Sequence, residues 1–388
     1  MSVTYASTGV NYDLLDPFKR AAQKAAAETA GNILRLNGGE FKEFTPSRGE
    51  SAFLIEAAKS YFAHVEEGLG TKSLVADAMY ELTGKSYYDH IAQCTVAMIV
   101  NDMVTVGALP LSVAMHLAAG SSDWFKDEKR TNDLIVGWKN SCDLARCVWG
   151  GGETPTLKGI VMPDAVVLSG SAMGLVKPKE RLIAGPIQHG DAIVIIESSG
   201  IHANGLTLAR KIAERKDGFF RRFAHLFMPE RFPKQALSDG YLTRLSDGRT
   251  YGEALLDPTH IYVGLVEDCF EAGVDIHYAI NVTGHGWRKF MRAVEPFTYI
   301  IDILPTQQPV FDFIQERGPV SDREAYSNLN MGAGYALYVA ETDTAKVCTV
   351  ASHLGLRAFV AGHIERGEKK VVIKPKGLVY EGETLQVR

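Results

Sequence analysis

The chain lacks most of the features that assign a function class on sight. Its five cysteines, Cys94, Cys142, Cys147, Cys269 and Cys348, are odd in number and include no C-x-x-C pair. That pattern excludes a zinc framework and a secreted disulfide scaffold. There is no basic block, and 41 Lys and Arg against 46 Asp and Glu leave a net charge of −5. Nucleic acid and anionic membranes are therefore not expected as partners. The first residues include Asp13 and Asp16 and no apolar h-region, so no signal peptide is expected and the compartment reads as cytoplasmic. One long stretch, residues 95–120, is almost uncharged, but it contains Asn101 and Asp102, and Pro110 would break a single helix there. A buried helix followed by a buried strand fits it better than a membrane span. H-E-x-x-H, G-x-S-x-G and G-x-x-x-x-G-K-[ST] are all missing, as is a G-x-G-x-x-G after a strand.

What is present is a mixed pattern long enough for two domains. Residues 12–28 read as a surface helix, and 51–66 as a strand or strands. Residues 73–82, 88–106 and 131–148 read as helices, and 165–176 and 191–197 as strands. Between those two strands the polar segment KPKERLIAGPIQHG sets a boundary at about residue 178, giving domains 1–178 and 179–388. Beyond it, residues 205–215, 260–272 and 287–294 suggest helices, and 335–339 and 371–373 strands. Residues 216–252 lack periodicity and read as an insertion. The class is α/β or α+β.

Glycine is in mild excess: 37 residues of 388, against a usual ~7%. It gathers in EEGLGTK (66–72), WGGGET (149–154), SSGIHANG (198–205), VTGHGWRK (282–289) and NMGAGY (330–335). Glycine at the start of a helix lets backbone N–H groups approach an anion, so the set points to a phosphorylated ligand. Glu67 and Lys72 flank the first turn, where a carboxylate could hold Mg²⁺ and an ammonium could meet phosphate. A solvated charged turn is the alternative. Asp102, amid Met98, Ile99, Val100, Met103 and Val104, needs a cation or several donors to offset its desolvation. Metal ligation and a helix cap would each satisfy it. Glu153 after three glycines is a second candidate, with an exposed turn as its alternative. His202 can move a proton near neutral pH and Asn204 can orient an amide, although isolated loop histidines are often inert. His285, Arg288 and Lys289 form a basic cluster suited to phosphate or simply to solvent.

Taken in order, these loops resemble the phosphoribosylformylglycinamidine cyclo-ligase, or aminoimidazole ribonucleotide (AIR) synthetase, family. YASTGVN resembles the family opening Y-x-x-A-G-V-D, EEGLGTK resembles T-D-G-V-G-T-K, and VNDMVTVGALPL resembles V-N-D-[IL]-[VL]-x-x-G-A-x-P-L. GGGETPTL is similar to G-G-E-T-A-E-M-P, SSGIHANGLTLARKI to S-S-G-x-H-S-N-G-[YF]-S-L-x-R, and LLDPTHIYV to L-L-x-P-T-[RK]-[IL]-Y-V. INVTGHGWRKFMR is similar to I-T-G-G-G-x-x-E-N-[IL]-x-R, and EAYSNLNMGAGY to E-M-x-[RN]-T-F-N-M-G-x-G-M. The resemblance implies two AIR-synthetase-like domains, the N-terminal one forming a β-barrel across a homodimer. It also implies ATP and Mg²⁺ in the cleft and a phosphoribosyl substrate whose formyl amide oxygen is phosphorylated before ring closure. By motif position, Glu67 and Asp102 would hold the metal. Gly68, Gly70, Thr71, Lys72, Asn101 and Glu153 would hold the nucleotide, and Thr283, His285, Arg288 and Lys289 the substrate. His202 and Asn204 would be the catalytic pair.

This chain departs from the family pattern at several of these positions. Glu67 stands for Asp, His285 for Gly, Arg288 and Lys289 for Glu-Asn, Ser327 for Arg or Asn, and Val167 for Asp. A related ATP-dependent enzyme with another substrate, and a nucleotide-binding paralogue with reduced catalysis, are therefore the competing expectations.

Overall fold

The computed structural model describes residues 12–214, 239–318 and 320–385. The chain begins with helix α1 (Tyr12–Ala27) and strands β1 (Lys42–Glu43), β2 (Phe53–Glu56) and β3 (Tyr61–Gly68). Helices α2 (Lys72–Thr83) and α3 (Tyr88–Val104) follow, then β4 (Leu109–Ala119), α4 (Glu128–Leu144), β5 (Val148–Glu153) and β6 (Val166–Val176). The uncharged stretch 95–120 is thus a helix and a strand. Helix α3 is apolar around most of its circumference, and Ile91, Val96, Ile99, Val100 and Met103 are fully buried, as such a helix requires.

The six strands form one sheet in the order β1-β2-β3-β6-β4-β5, antiparallel except for the parallel β4–β5 pair. Strand β6 alternates with the period of two that a half-covered strand requires. Val166, Leu168, Ala172 and Val176 turn inward, whereas Val167 and Met173 are 49% and 50% exposed. The sheet has open edges at β1 and β5, and no sheet closes on itself among the described residues. The barrel expected from the family resemblance is therefore not formed within one chain.

The second half contains β7 (Ala192–Glu197), α5 (Leu206–Ala213), α6 (Tyr251–Leu255), α7 (Val263–Glu271), β8 (Ile276–Asn281) and β9 (Phe297–Ile301). Next come α8 (Pro309–Arg317), α9 (Asp322–Asn328), β10 (Ala333–Val339), α10 (Thr344–His353), β11 (Ala358–Arg366), β12 (Lys370–Ile373) and β13 (Leu378–Glu381). Their sheet runs β13-β12-β9-β11-β7-β10-β8, with β12–β9 the parallel pair. The architecture is mixed α/β with two sheets. No described helix is long and apolar enough to cross a membrane.

Three expectations change. Residues 287–294 do not form an α-helix: a 3-10 helix, Gly286–Met291, fills that place. Gly286 has φ 49°, and a Cβ there would lie 2.6 Å from the Tyr326 carbonyl oxygen, so only glycine fits. The helix expected at 131–148 starts earlier, where the Asp127 carboxylate accepts from Arg130 N–H, and stops at Leu144. The glycines that follow form edge strand β5 instead of a loop. Within the expected insertion, α6 begins at a capping box in which Thr250 and Glu253 bond each other's backbone N–H. Residues 215–238 and the opening YASTGVN lie outside the described residues.

Polar side chains, Lys72 and Asn101 buried and Arg146 exposed, join the halves. Lys72 Nζ donates to the carbonyls of His202 and Asp257, each at 2.7 Å. The Asn101 amide donates to His260 O at 2.8 Å and accepts from Tyr262 N–H at 2.8 Å. Arg146 reaches Glu267 and Asp268 on α7 at 2.6 Å each.

Candidate active site

The last turn of α3, the end of β3, the end of β8 and the loop 283–289 meet at the joint between the halves. They enclose a cavity of about 370 Å³ lined by Glu67, Asp102, Asn204, Thr283, His285 and Lys289. Lys19, Glu50, Asn281 and Arg292 also line it.

Each side chain arrives for a local reason. Asp102 is carried by α3 to the buried end of that helix, where Asn281, the last residue of β8, donates Nδ2–H to its Oδ1 at 2.7 Å. Glu67 sits at the end of β3, on the strand that leads into the glycine turn. Burial, and then the charge of Asp102, push its carboxyl up to about 7, with Lys289 opposing. Lys289 is buried, and its ammonium donates to Thr283 Oγ1 and, at 3.3 Å, to Asn281 O. Burial draws it down to about 8, against the pull of Asp102. His285 has φ 67°, in the region where a side chain costs roughly 1–2 kcal/mol. Burial and the neighbouring cations Arg288, Lys289, Lys19 and Arg292 hold its imidazole down at about 3, so it is neutral. Arg292 closes one wall by donating to Ser51 Oγ at 2.9 Å and Gly49 O at 2.7 Å.

Other expected site residues stand elsewhere. Lys72 is fully buried, and its ammonium is directed to the two carbonyls named above. Asn101 is likewise committed to the backbone of 260–262. Gly68 and Gly70 are exposed, Thr71 is half-buried and bonded to Thr207 Oγ1 at 3.3 Å, and none of the three lines the cavity. Glu153 is exposed at the end of β5, beside His116 in the strand register. Arg288 turns to the carbonyls of Ser327 and Thr384, at 2.9 Å each, and staples the loop from behind. His202 lies behind Asn204, fully buried and well below its ordinary pKa through burial, then through His260 and Lys72. Its Nε2 accepts from Ser199 N–H at 3.3 Å, so the neutral ring carries its proton on Nδ1.

Asn281 and Arg292 were missed although both fall inside the quoted motif INVTGHGWRKFMR, and their place in it was the available signal. Lys19 and Glu50 carried none.

Residues 49–176 match the family described as AIR synthase related protein, N-terminal domain, and residues 188–374 match its C-terminal domain. The chain belongs to this family. The phosphoribosylformylglycinamidine cyclo-ligase of Carboxydothermus hydrogenoformans is 31% identical over 378 residues, covering 96% of this chain and 98% of that one. That of Methanocaldococcus jannaschii is 32% identical over 311 residues, covering 80% of each chain. Among solved structures, the thiamine-monophosphate kinase of Stenotrophomonas maltophilia K279a has a TM-score of 0.53 at 18% identity, covering 91% of this chain and 96% of that one. A HypE–HypF complex has 0.54 at 17%, covering 86% and 92%. These structures share the fold. The chain is an enzyme of the AIR synthase family.

Proposed function

We propose that this enzyme closes the imidazole ring of aminoimidazole ribonucleotide from formylglycinamidine ribonucleotide at the expense of ATP, in purine biosynthesis. One observation carries the reading: Glu67, Asp102, Asn204 and the 283–289 loop converge on a single cleft, in a chain similar to cyclo-ligases along nearly its whole length.

Mg²⁺ fits the donor set. Two carboxylates, the buried Asp102 and the half-buried Glu67, share the cavity, and burial and then the Asp102 charge displace Glu67 upward, which a cation would relieve. No cluster of three or more His, Cys, Asp or Glu suited to a metal gathers among the described residues. Mg²⁺ needs only one or two protein carboxylates when phosphate oxygens and water complete its shell. Bound there, Mg-ATP supplies the phosphoryl group that turns the formyl oxygen into a leaving group.

The chain's own residues position and neutralise. Asn281 fixes the Asp102 carboxylate, Lys289 offers a cation to the transferring group, and Asn204 orients the amide from the loop that His202 holds from behind. His202 is thereby a positioning residue. The extra methylene of Glu67 lengthens its reach by about 1.5 Å, one C–C bond.

A second reading, a related ATP-dependent enzyme with another substrate, is favoured by His285 and Lys289, which occupy the cavity where the family pattern has Gly and Asn. Homodimerisation through the exposed face of the N-terminal sheet belongs to both readings. Phosphate release from Mg-ATP, with and without formylglycinamidine ribonucleotide, separates them. Substrate-dependent release with aminoimidazole formed supports the cyclo-ligase. ATP binding without substrate-dependent release overturns it in favour of the second reading or of a nucleotide-binding paralogue with reduced catalysis.

A further inference from the structure

Helix α4 ends by bringing two thiols together. Arg146 takes φ 54°, its N–H bonds Asp143 O at 3.0 Å, and the N–H of Cys147 reaches back to Cys142 O at 3.0 Å. These two bonds define a Schellman termination, in which the side chain just past the left-handed residue folds onto the one five positions earlier. Here those positions hold Cys147 and Cys142, so the backbone turn carries the two thiols to neighbouring places. Both are free thiols; Cys142 is buried and Cys147 half-buried.

We infer that Cys142 and Cys147 form a reversible dithiol–disulfide site that reacts with hydroperoxides. The Cys147 thiolate attacks the outer peroxide oxygen, the O–O bond breaks, and the alcohol leaves with one proton, which yields a sulfenic acid. The Cys142 sulfur then attacks that sulfur, the S–O bond breaks and water leaves. Two thiols and one hydroperoxide give one disulfide, one alcohol and one water.

The division of labour follows from the environment. Cys147 is half-buried where Cys142 is buried, and the neighbouring Cys142 thiol draws the Cys147 thiol down. The more accessible member is therefore the better nucleophile and the buried one the resolving thiol. The molecule holds its own control. The Cys348 thiol on α10 also acts on Cys269 on α7, yet burial pushes both up, Cys269 to about 12. The position matters because the bridge would span Arg146, whose guanidinium reaches Glu267 and Asp268 on the other half. Oxidation would lock the turn that aims this interdomain ion pair.

The test is limited exposure of the full-length protein to hydrogen peroxide, followed by intact-mass measurement and peptide mapping. The expected product has lost two hydrogens, links Cys142 to Cys147, reverts with excess thiol, and forms before any change at Cys94, Cys269 or Cys348. In Cys142→Ser, Cys147 should gain a single oxygen that dimedone traps. In Cys142→Ala, which leaves no side-chain donor at that position, alkylation of Cys147 by iodoacetamide at pH 7 should slow about three- to tenfold. Native protein that accumulates oxidised Cys147 without the link, links Cys269 to Cys348 first, or does not change overturns the inference.

Discussion

His285 is the residue on which backbone and side chain make opposite demands. Its left-handed φ favours glycine, the family's residue, while its imidazole is buried in the cavity wall. His285→Gly removes the strain but also removes packing and adds chain entropy in the unfolded state. The expected net change is within about 1 kcal/mol by urea denaturation. A loss above ~3 kcal/mol would make the imidazole a packing element first. Asp102 gives the opposite test. Asn at this position keeps an oxygen for the Asn281 amide and removes only the charge, so Asp102→Asn should leave the melting temperature near that of the wild type. Mg²⁺-dependent turnover and Mn²⁺ affinity should both collapse, and full residual activity would remove Asp102 from the metal site.

At the scale of elements, α2 shows how a motif lysine can serve structure. If Lys72 met phosphate, Lys72→Met would weaken nucleotide binding and spare stability. With its ammonium shared between His202 O and Asp257 O, the substitution leaves buried carbonyls unsatisfied. It should cost about 2–4 kcal/mol in urea denaturation; unchanged stability with lost ATP affinity would reverse the assignment.

Helix α2 also carries Asp77, which accepts from Tyr88 Oη at 2.7 Å. Burial, only partly offset by that bond and by Arg130, raises its carboxyl from 3.8 to about 6. The folded state therefore holds this proton more tightly than the unfolded chain does. Its contribution declines as pH rises from about 4 through about 6, by roughly 3 kcal/mol in all. Asp77→Asn should flatten that part of the stability–pH curve, and an identical curve would show that Asp77 titrates normally.

Elements with a clear period or a long apolar run, such as α3, β4 and β6, were legible in the sequence. Strands β8 and β10 are buried along their whole length, so they show no alternation. Residues 335–339 were found inside β10 because Tyr and Leu cluster there, while β8 was missed. Strand β5 is half glycine and offers no side-chain pattern. For the site, ordered motifs brought out Glu67, Asp102, Asn204 and Lys289. They could not separate these from Lys72 or Asn101, because only the arrangement of the second half determines what those two meet.

At the scale of the whole molecule, the face of the N-terminal sheet left open among the described residues carries Val167 and Met173 beside the half-buried Phe62 and Leu175. An apolar sheet face of this kind asks for a partner, and a second copy of this chain is the one both functional readings share. Light scattering should give twice the chain mass for the wild type and the single mass for Met173→Glu; a monomeric wild type would end the idea. The polar stitches described above have a different consequence. Lys72, Asn101 and Arg146 make their bonds only when both halves are present, so each half alone would bury nothing against these groups. The unit that folds is therefore expected to be larger than either span the two family matches delineate. A chain nicked between the two sheets should stay together as one particle and melt in one transition.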